Sequence, residues 1–230
     1  MQKQLWMDLA NENRINRHEV YGSLPEEIRT YSERVASYVQ ILYHAALTMG
    51  VYCEDVMLDH KRLPYVWESV RMFDIGYAAV PSFLRKKNWL TDEEKKLVER
   101  HTVDGFTIVF GNPDDGEFFQ LSEAEKMKIS MGMDAAIGHH ERWDGKGYPN
   151  HERGCGTPLL GRMCAICNFY DRQTSTRLYP EGMPHEFACA EIIRESGFAF
   201  DPGLVHVFKS VMPLFETARA ADSTPEPVYQ

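Results

Sequence analysis

The chain has 230 residues, of which 43% are hydrophobic and 12% aromatic, so it can form one domain with a substantial core and is not disordered. Its formal net charge of −9 argues against a polynucleotide partner, which normally needs a basic protein face. The apolar runs are too short to cross a membrane, no secretory signal opens the sequence, and the five cysteines lack framework spacing. We therefore expect a cytoplasmic globular protein without a membrane partner.

The sequence predicts three parts. A polar lead-in occupies residues 1–22, a single domain covers 23–220, and residues 221–230 form a flexible tail with two prolines and no apolar periodicity. The lead-in contains asparagines that we expect to weaken any helix there, namely Asn11, Asn13 and Asn16.

The domain begins with a long predicted helix. Ser23 is placed to cap this helix, Pro25 fits its first turn, and Gly50 ends it. Apolar residues between positions 28 and 46 recur along one face at helical spacing.

Several shorter helices follow in chain order. Their predicted starts are Pro81, the capping boxes at residues 91–94 and 122–125, Pro158, Pro184 and the pair Asp201-Pro202. We expect the helix that begins after Thr91 to run through Phe106, and the helix that begins after Ser122 to end at two histidines. No segment alternates with a period of two residues, and no repeat is visible. The predicted fold class is all-α, one domain whose ligand side chains converge between helices.

Residues 138–149 are the densest stretch of chemistry in the chain. They read Gly-His-His-Glu-Arg-Trp-Asp-Gly-Lys-Gly-Tyr-Pro, and contain adjacent histidines at His139 and His140. Neutral imidazole suits zinc, iron, manganese or nickel, and two adjacent rings make sense where both face one ion. Glycines and Pro149 predict a sharp turn directly after the histidines.

This stretch matches the pattern HHExxDGxGYP and so resembles the HD-GYP family, a branch of the HD-type metal phosphohydrolases that cleave cyclic di-GMP. Further segments, between about Tyr31 and Phe208, resemble the same family. Residues 73–77 stand where the family has His-Asp-Ile-Gly-Lys, and residues 168–171 where it has Asp-x-x-Asp. The resemblance implies an HD-domain-like helical bundle with a central metal site.

The resemblance also implies metal ligands, and this chain keeps only part of them. One ligand set is present as Asp74, His101, His139 and His140. The other set has lost its ligands, because Phe73 and Asn168 replace a histidine and an aspartate, and Tyr31 stands where an upstream histidine is expected. Phenylalanine cannot bind a metal, and a neutral amide binds a dication weakly. We therefore expect one divalent transition metal per chain, Fe, Mn, Zn or Ni.

Positions at which the resemblance implies contact with the substrate phosphate also differ from the family's pattern. Tyr77 replaces a lysine, and Pro180 replaces a basic residue after the family's Arg-x-Tyr. Arg177 is retained and is predicted to contact a phosphate, while Asp171 is predicted to move a proton near the site. The resemblance also gives the turn a ligand- or partner-binding role, through Gly147, Tyr148 and Pro149.

Three functional hypotheses follow. The favoured one is a reduced site with weak or lost phosphodiesterase activity that binds cyclic di-GMP or a related nucleotide, or another signalling protein through the turn. The second is an active cyclic di-GMP phosphodiesterase whose metal set is completed by residues such as His44 or Glu33. The third is a non-catalytic interaction module.

Cys164 and Cys167 are interpreted as packed thiols, and the histidines without a partner at recognisable spacing as surface residues: His18, His60, His151, His185 and His206.

Overall fold

A computed structural model describes residues 16–52, 55–87, 89–111, 120–175 and 182–222 of the chain. In these ranges the secondary structure is helical, with only two isolated β-bridges, which confirms the all-α class. The helices are α1 Arg17–Ser23, α2 Glu26–Met49, α3 Val66–Val70, α4 Ser82–Arg85, α5 Asp92–Glu99, α6 His101–Phe110, α7 Glu123–Gly138, α8 Leu159–Thr174, α9 His185–Arg194 and α10 Pro202–Asp222. Short 3₁₀ turns lie at Leu63–Tyr65, Ile75–Ala78 and Gly154–Gly156. Within the described ranges, no helix is both long and apolar enough to span a bilayer.

Helix α2 forms the spine of the domain, as its sequence pattern predicts. Glu26 and Glu27 lie in its first turn, and Gly50 ends it in the left-handed conformation at φ 65°. The predicted cap is wrong, however: Pro25 occupies the N-cap position, and the Ser23 hydroxyl donates to the carbonyl of Val20 instead. The sequence could not separate the two helices because they are joined by only two residues.

The predicted weakness of the lead-in is wrong for its last residues. Asn16 caps α1, accepting from the backbone N–H groups of His18 and Glu19, so this asparagine starts a helix. Val20 and Tyr21 of α1 are buried. Asn11 and Asn13 lie outside the described residues, as do positions 223–230 of the predicted tail.

The remaining predicted helix starts are found where the sequence places them. Both capping boxes form, at Thr91 and at Ser122. The helix expected to run from Thr91 through Phe106 is instead divided at Arg100 into α5 and α6. No glycine or proline marks this division; α6 packs against the turn at Ile75–Ala78 and against α7, so tertiary contact fixes the direction in which α6 leaves Arg100.

Two apolar clusters hold these helices together. The larger one joins α2, α3 and α7 to α8, α9 and α10, and the smaller one joins α1, α6 and α7 to the turn at Ile75–Ala78. Two helices cross where glycines meet: a Cβ on Gly138 of α7 would lie 2.9 Å from the Cα of Gly161 in α8. A Cβ on Gly76 would lie 1.8 Å from the carbonyl oxygen of His101. These close approaches fix the end of α7 against α8 and the start of α6 against the turn at Ile75–Ala78.

Candidate metal centre and cleft

Three histidines from two helix ends meet in the interior. His101 is the first residue of α6, His139 is the C-cap of α7, and His140 follows it. One ring nitrogen from each of the three lies within 4.8 Å of the others. Asp74, directly before the turn at Ile75–Ala78, completes the cluster that the sequence predicts as the surviving ligand set. We call these four residues the histidine half of the site.

Backbone hydrogen bonds fix the orientation of two of the rings. Nδ1 of His101 lies 2.7 Å from the carbonyl oxygen of Val98, and Nδ1 of His139 lies 2.9 Å from that of Ala136. A carbonyl oxygen can only accept, so each Nδ1 carries the proton and each Nε2 presents a lone pair to the site. Metal-binding histidines are held in this way in proteins.

The lone pairs face one another at short range. Nε2 of His101 lies 3.1 Å from Nε2 of His139, and each of them lies 3.2 Å from Oδ1 of Asp74. This carboxylate oxygen is buried and has no hydrogen-bond donor among the described residues. Two ligands at about 2.1 Å from one ion and at a right angle to each other are roughly 3 Å apart. The donor set and its spacing therefore fit a divalent cation.

The protonation states favour the same interpretation. Burial raises the pKa of Asp74, but a proton on Nε2 of His101 or His139 would outweigh burial and hold this pKa well below its ordinary value, and a cation between the same atoms acts in the same direction. Burial holds the pKa of His140 well below its ordinary value. A charged carboxylate and a neutral imidazole are the forms that bind a metal ion.

A buried carboxylate and close backbone packing stabilise the turn that follows the histidines. The buried Glu141 carboxylate accepts from the backbone N–H groups of Asn150 at 2.6 Å and Glu152 at 3.1 Å. Gly147 packs so closely that a Cβ would lie 2.4 Å from the His140 carbonyl oxygen. The Tyr148 ring stacks on His140 with centroids 4.6 Å apart, and the peptide bond between Tyr148 and Pro149 is cis. Gly147 thus shapes the turn, while Tyr148 reaches the site.

The three positions at which the resemblance implies metal ligands that this chain lacks also meet one another. The Tyr31 hydroxyl donates to Oδ1 of Asn168, and the Tyr31 ring lies edge-on to Phe73 with centroids 5.5 Å apart. The Phe73 ring lies edge-on to His139 with centroids 4.9 Å apart. Tyr31, Phe73 and Asn168 are all buried. We call them the aromatic half of the site, because the Phe73 ring packs against His139 and the Tyr31 ring packs against Phe73.

The residues considered as replacement ligands lie elsewhere. His44 is exposed on α2. The Glu33 carboxylate accepts from the Tyr21 hydroxyl at 3.2 Å and lies 3.9 Å from the Arg71 guanidinium. The structure therefore brings neither side chain to the histidine half.

A cleft of about 1550 Å³ opens from the histidine half. Asp74, His140 and Tyr148 line one part of it, and basic residues that sequence reasoning missed line another part, namely Arg34, Arg85, Lys86, Arg172 and Arg219. In the sequence, Arg172 could be noticed only as the neighbour of Asp171. Nothing in the sequence marked Arg34, because Asp171, with which it pairs, is 137 residues away. Pro149 is not among the described lining residues, and Arg177 lies outside the described part of the chain.

Asp171 is held by an arginine. Its two carboxylate oxygens lie 2.8 Å from Nε and 3.0 Å from a terminal nitrogen of Arg34, a bidentate pair across two helices. Both residues line the cleft. The predicted proton-transfer role of Asp171 stays a prediction, and the geometry favours a role in orienting Arg34.

Two predictions outside the site have clear outcomes. Cys164 and Cys167 are buried in the larger core cluster, and burial raises the pKa of the Cys167 thiol, so these cysteines are packed thiols as expected. The prediction that His185 is a surface residue is wrong. It is buried, with Nδ1 2.8 Å from the Tyr170 hydroxyl and Nε2 3.5 Å from Sγ of Cys189.

Comparison with known proteins identifies the family. The HD domain profile matches residues 27–204. The chain is 31% identical over 183 residues to a cyclic di-GMP phosphodiesterase of Vibrio cholerae, a match covering 79% of this chain and 35% of that protein. It is 33% identical over 160 residues to a cyclic di-GMP phosphodiesterase of Thermotoga maritima, covering 69% and 40%. It is 25% identical over 208 residues to a 3'3'-cGAMP-specific phosphodiesterase of Vibrio cholerae, covering 88% and 36%.

The chain thus spans less than half the length of each of these three relatives. The profile match, the relatives and the motif at residues 138–149 agree with one another, and the described residues form the helical fold that the motif implies. The chain belongs to the HD domain family, in its HD-GYP branch.

Proposed function

We propose that this domain is an HD-type phosphohydrolase domain with a reduced, one-metal site, which binds cyclic di-GMP or a related cyclic dinucleotide and has weak or lost phosphodiesterase activity. The observation that carries the proposal is the hydrogen bond from Tyr31 to Asn168 beside the ring of Phe73. Phe73 lies next to His139, and the three side chains offer neither a carboxylate nor an imidazole to a second ion.

The ligand class is supported by the relatives and by the size of the cleft. The relatives are named as phosphodiesterases of cyclic di-GMP and of 3'3'-cGAMP. A cleft of about 1550 Å³ is larger than the roughly 300–1,000 Å³ of an ordinary small-molecule pocket, so it has room for two linked nucleotides. Its basic residues complement the negative charge of such a ligand.

The chain's own residues have separable roles in this proposal. Asp74, His101, His139 and His140 would hold one ion, which when bound would lower the pKa of a coordinated water and draw charge from a phosphate oxygen. The Val98 and Ala136 carbonyls keep two of the rings aimed at the site. The aromatic half leaves no ligands for a second ion, so attacking and leaving oxygens would not both be stabilised, and hydrolysis would be slow.

Elemental analysis tests the proposal directly. The protein is purified without chelator and without a metal-binding affinity tag, and its iron, manganese, zinc and nickel contents are measured together with hydrolysis of cyclic di-GMP. About one ion per chain and turnover far below that of a two-metal relative are expected. Two ions with rapid turnover would contradict the proposal.

An active cyclic di-GMP phosphodiesterase is the second candidate, favoured by the names of the relatives. Turnover of cyclic di-GMP by the metal-loaded protein distinguishes it from the first candidate. A chain that retains no ion and binds no nucleotide would instead support an interaction module that uses the turn at Gly147, Tyr148 and Pro149.

A further inference from the structure

Three basic side chains of the cleft have no hydrogen-bond or ion-pair partner among the residues that the structure describes. Arg172 on α8 and Lys86 after α4 are exposed, and Arg85 on α4 is half-buried. All three line the cleft. None of their side chains makes a hydrogen bond or an ion pair with another described residue, whereas Arg34 in the same cleft is held by Asp171. These three cations are therefore available to a ligand.

Arg172 lines the same cleft as His140 and Tyr148, and it directly follows Asp171, the residue that holds Arg34. The sequence has a tyrosine at 77 and a proline at 180, where the HD-GYP resemblance implies cations for the phosphate. Arg172, Arg85 and Lys86 thus supply positive charge that positions 77 and 180 do not provide.

The charged residues that line the cleft favour binding of an anion. Among the carboxylates that line it, Asp171 is paired with Arg34, and Asp74 faces the histidines. Glu26 and Glu27 remain, both exposed at the start of α2. Three cations that have no partner among the described residues therefore outnumber two exposed carboxylates, and arginine has the geometry to contact a phosphate through two N–H groups.

We propose that Arg172, together with Arg85 and Lys86, forms a second anion subsite, which binds the phosphodiester of a cyclic dinucleotide that is not at the histidine half. A cyclic dinucleotide carries two phosphodiesters in one ring, so an ion at the histidine half accounts for only one of them. This inference rests on the proposed function and specifies how that site selects a ligand with two phosphates over a ligand with one.

Calorimetric titration of the metal-loaded protein tests the subsite. The probes are cyclic di-GMP, with two phosphates, and 3',5'-cyclic GMP, with the same base and one phosphate. The Arg172→Gln variant should bind cyclic di-GMP about tenfold more weakly, as expected for loss of a charge-assisted hydrogen bond, with unchanged affinity for cyclic GMP and unchanged metal content. The Arg172→Lys variant should recover part of the loss.

Arg194→Gln is the matched control, because Arg194 is an exposed arginine of α9 that pairs with Glu191 outside the cleft. It should leave both affinities unchanged. A double variant, Arg85→Gln with Lys86→Gln, should also weaken binding of cyclic di-GMP selectively, so the test does not depend on one substitution. Melting temperatures of all variants exclude misfolding as the cause.

Two outcomes overturn the second subsite while leaving the proposed function in place. One is equal affinity of wild type and Arg172→Gln for cyclic di-GMP. The other is an equal loss for both probes, which would place Arg172 at the phosphate of the histidine half. If metal-loaded wild type binds neither probe, the proposed function itself fails, and the subsite with it.

Discussion

The histidine half and the aromatic half of the site lie side by side but satisfy their polar atoms in opposite ways. In the histidine half, two Nε2 atoms and Oδ1 of Asp74 lie 3.1 to 3.2 Å apart. These three acceptors need a proton or a cation between them. In the aromatic half, the Tyr31 hydroxyl donates to Asn168, and Phe73 lies edge-on to the Tyr31 ring.

Buried polar atoms are normally satisfied within the protein, and those that are not require an explanation. A group of converging acceptors without a donor indicates a bound cation. A phenol and an amide that satisfy each other indicate a position that no longer needs a ligand. The two halves therefore differ in whether their polar atoms are satisfied by the protein, which is the difference that the proposed one-metal site requires.

The largest expected effect comes from breaking the histidine half. His139→Ala removes an Nε2 ligand and should weaken metal binding by more than roughly 100-fold, since even changes to residues that only orient a ligand cost 10- to 100-fold. Metal content after dialysis measures this. His44→Ala is the control: His44 is exposed on α2, so metal content should stay at the wild-type level. Loss of metal in the control would restore His44 as a ligand.

Gly76→Ala should disturb the histidine half indirectly, by displacing the start of α6, which carries His101. The added methyl would lie 1.8 Å from the backbone oxygen of His101, which cannot move without shifting α6. A destabilisation of about 3 kcal/mol is expected in urea unfolding, with reduced metal binding. In the control Gly22→Ala, nothing lies within 4 Å of the new methyl group, and stability should not fall, because alanine is favoured over glycine in a helix. Equal stabilities of the two variants would contradict the close approach at Gly76.

Restoring metal-ligand side chains in the aromatic half should allow it to bind an ion, as is expected of the histidine half. Phe73→His combined with Asn168→Asp restores two ligand types beside His139, so metal content should rise from about one ion toward two, and cyclic di-GMP hydrolysis by about tenfold or more. Asn168→Asp alone is the control and should gain little metal. A folded double variant that gains no metal and stays inert would show that these positions are not the lost ligands.

The smallest effect tests whether the aromatic half is now structural. Tyr31→Phe removes the hydroxyl and leaves the Asn168 amide oxygen without this donor, so unfolding free energy should fall by about 1–2 kcal/mol while metal content stays unchanged. Tyr65→Phe is the control, since the Tyr65 hydroxyl makes no hydrogen bond with a described residue. A drop in metal content of Tyr31→Phe would place Tyr31 in the ligand set.

Local signals in the sequence were sufficient for most helix boundaries. The capping boxes at Thr91 and Ser122 and the glycine end at Gly50 involve atoms within four residues of each other, so the sequence shows them directly. Where two signals competed within a few residues, as with Ser23 and Pro25, the sequence indicated the wrong cap. Asn16 was likewise misjudged, because the same residue type weakens a helix interior and favours a helix start.

The sequence by itself determined the helical class, the motif with His139 and His140, and the residue types at positions 31, 73 and 168 on which the proposal of a reduced site rests. Only the tertiary structure decided which positions meet. Tyr31 and Asn168 are 137 residues apart in sequence, as are Arg34 and Asp171, and both pairs form because α2 packs against α8. The physical reason is range: capping and turn formation depend on neighbours along the chain, whereas a site between helices depends on how their apolar faces and glycine contacts pack.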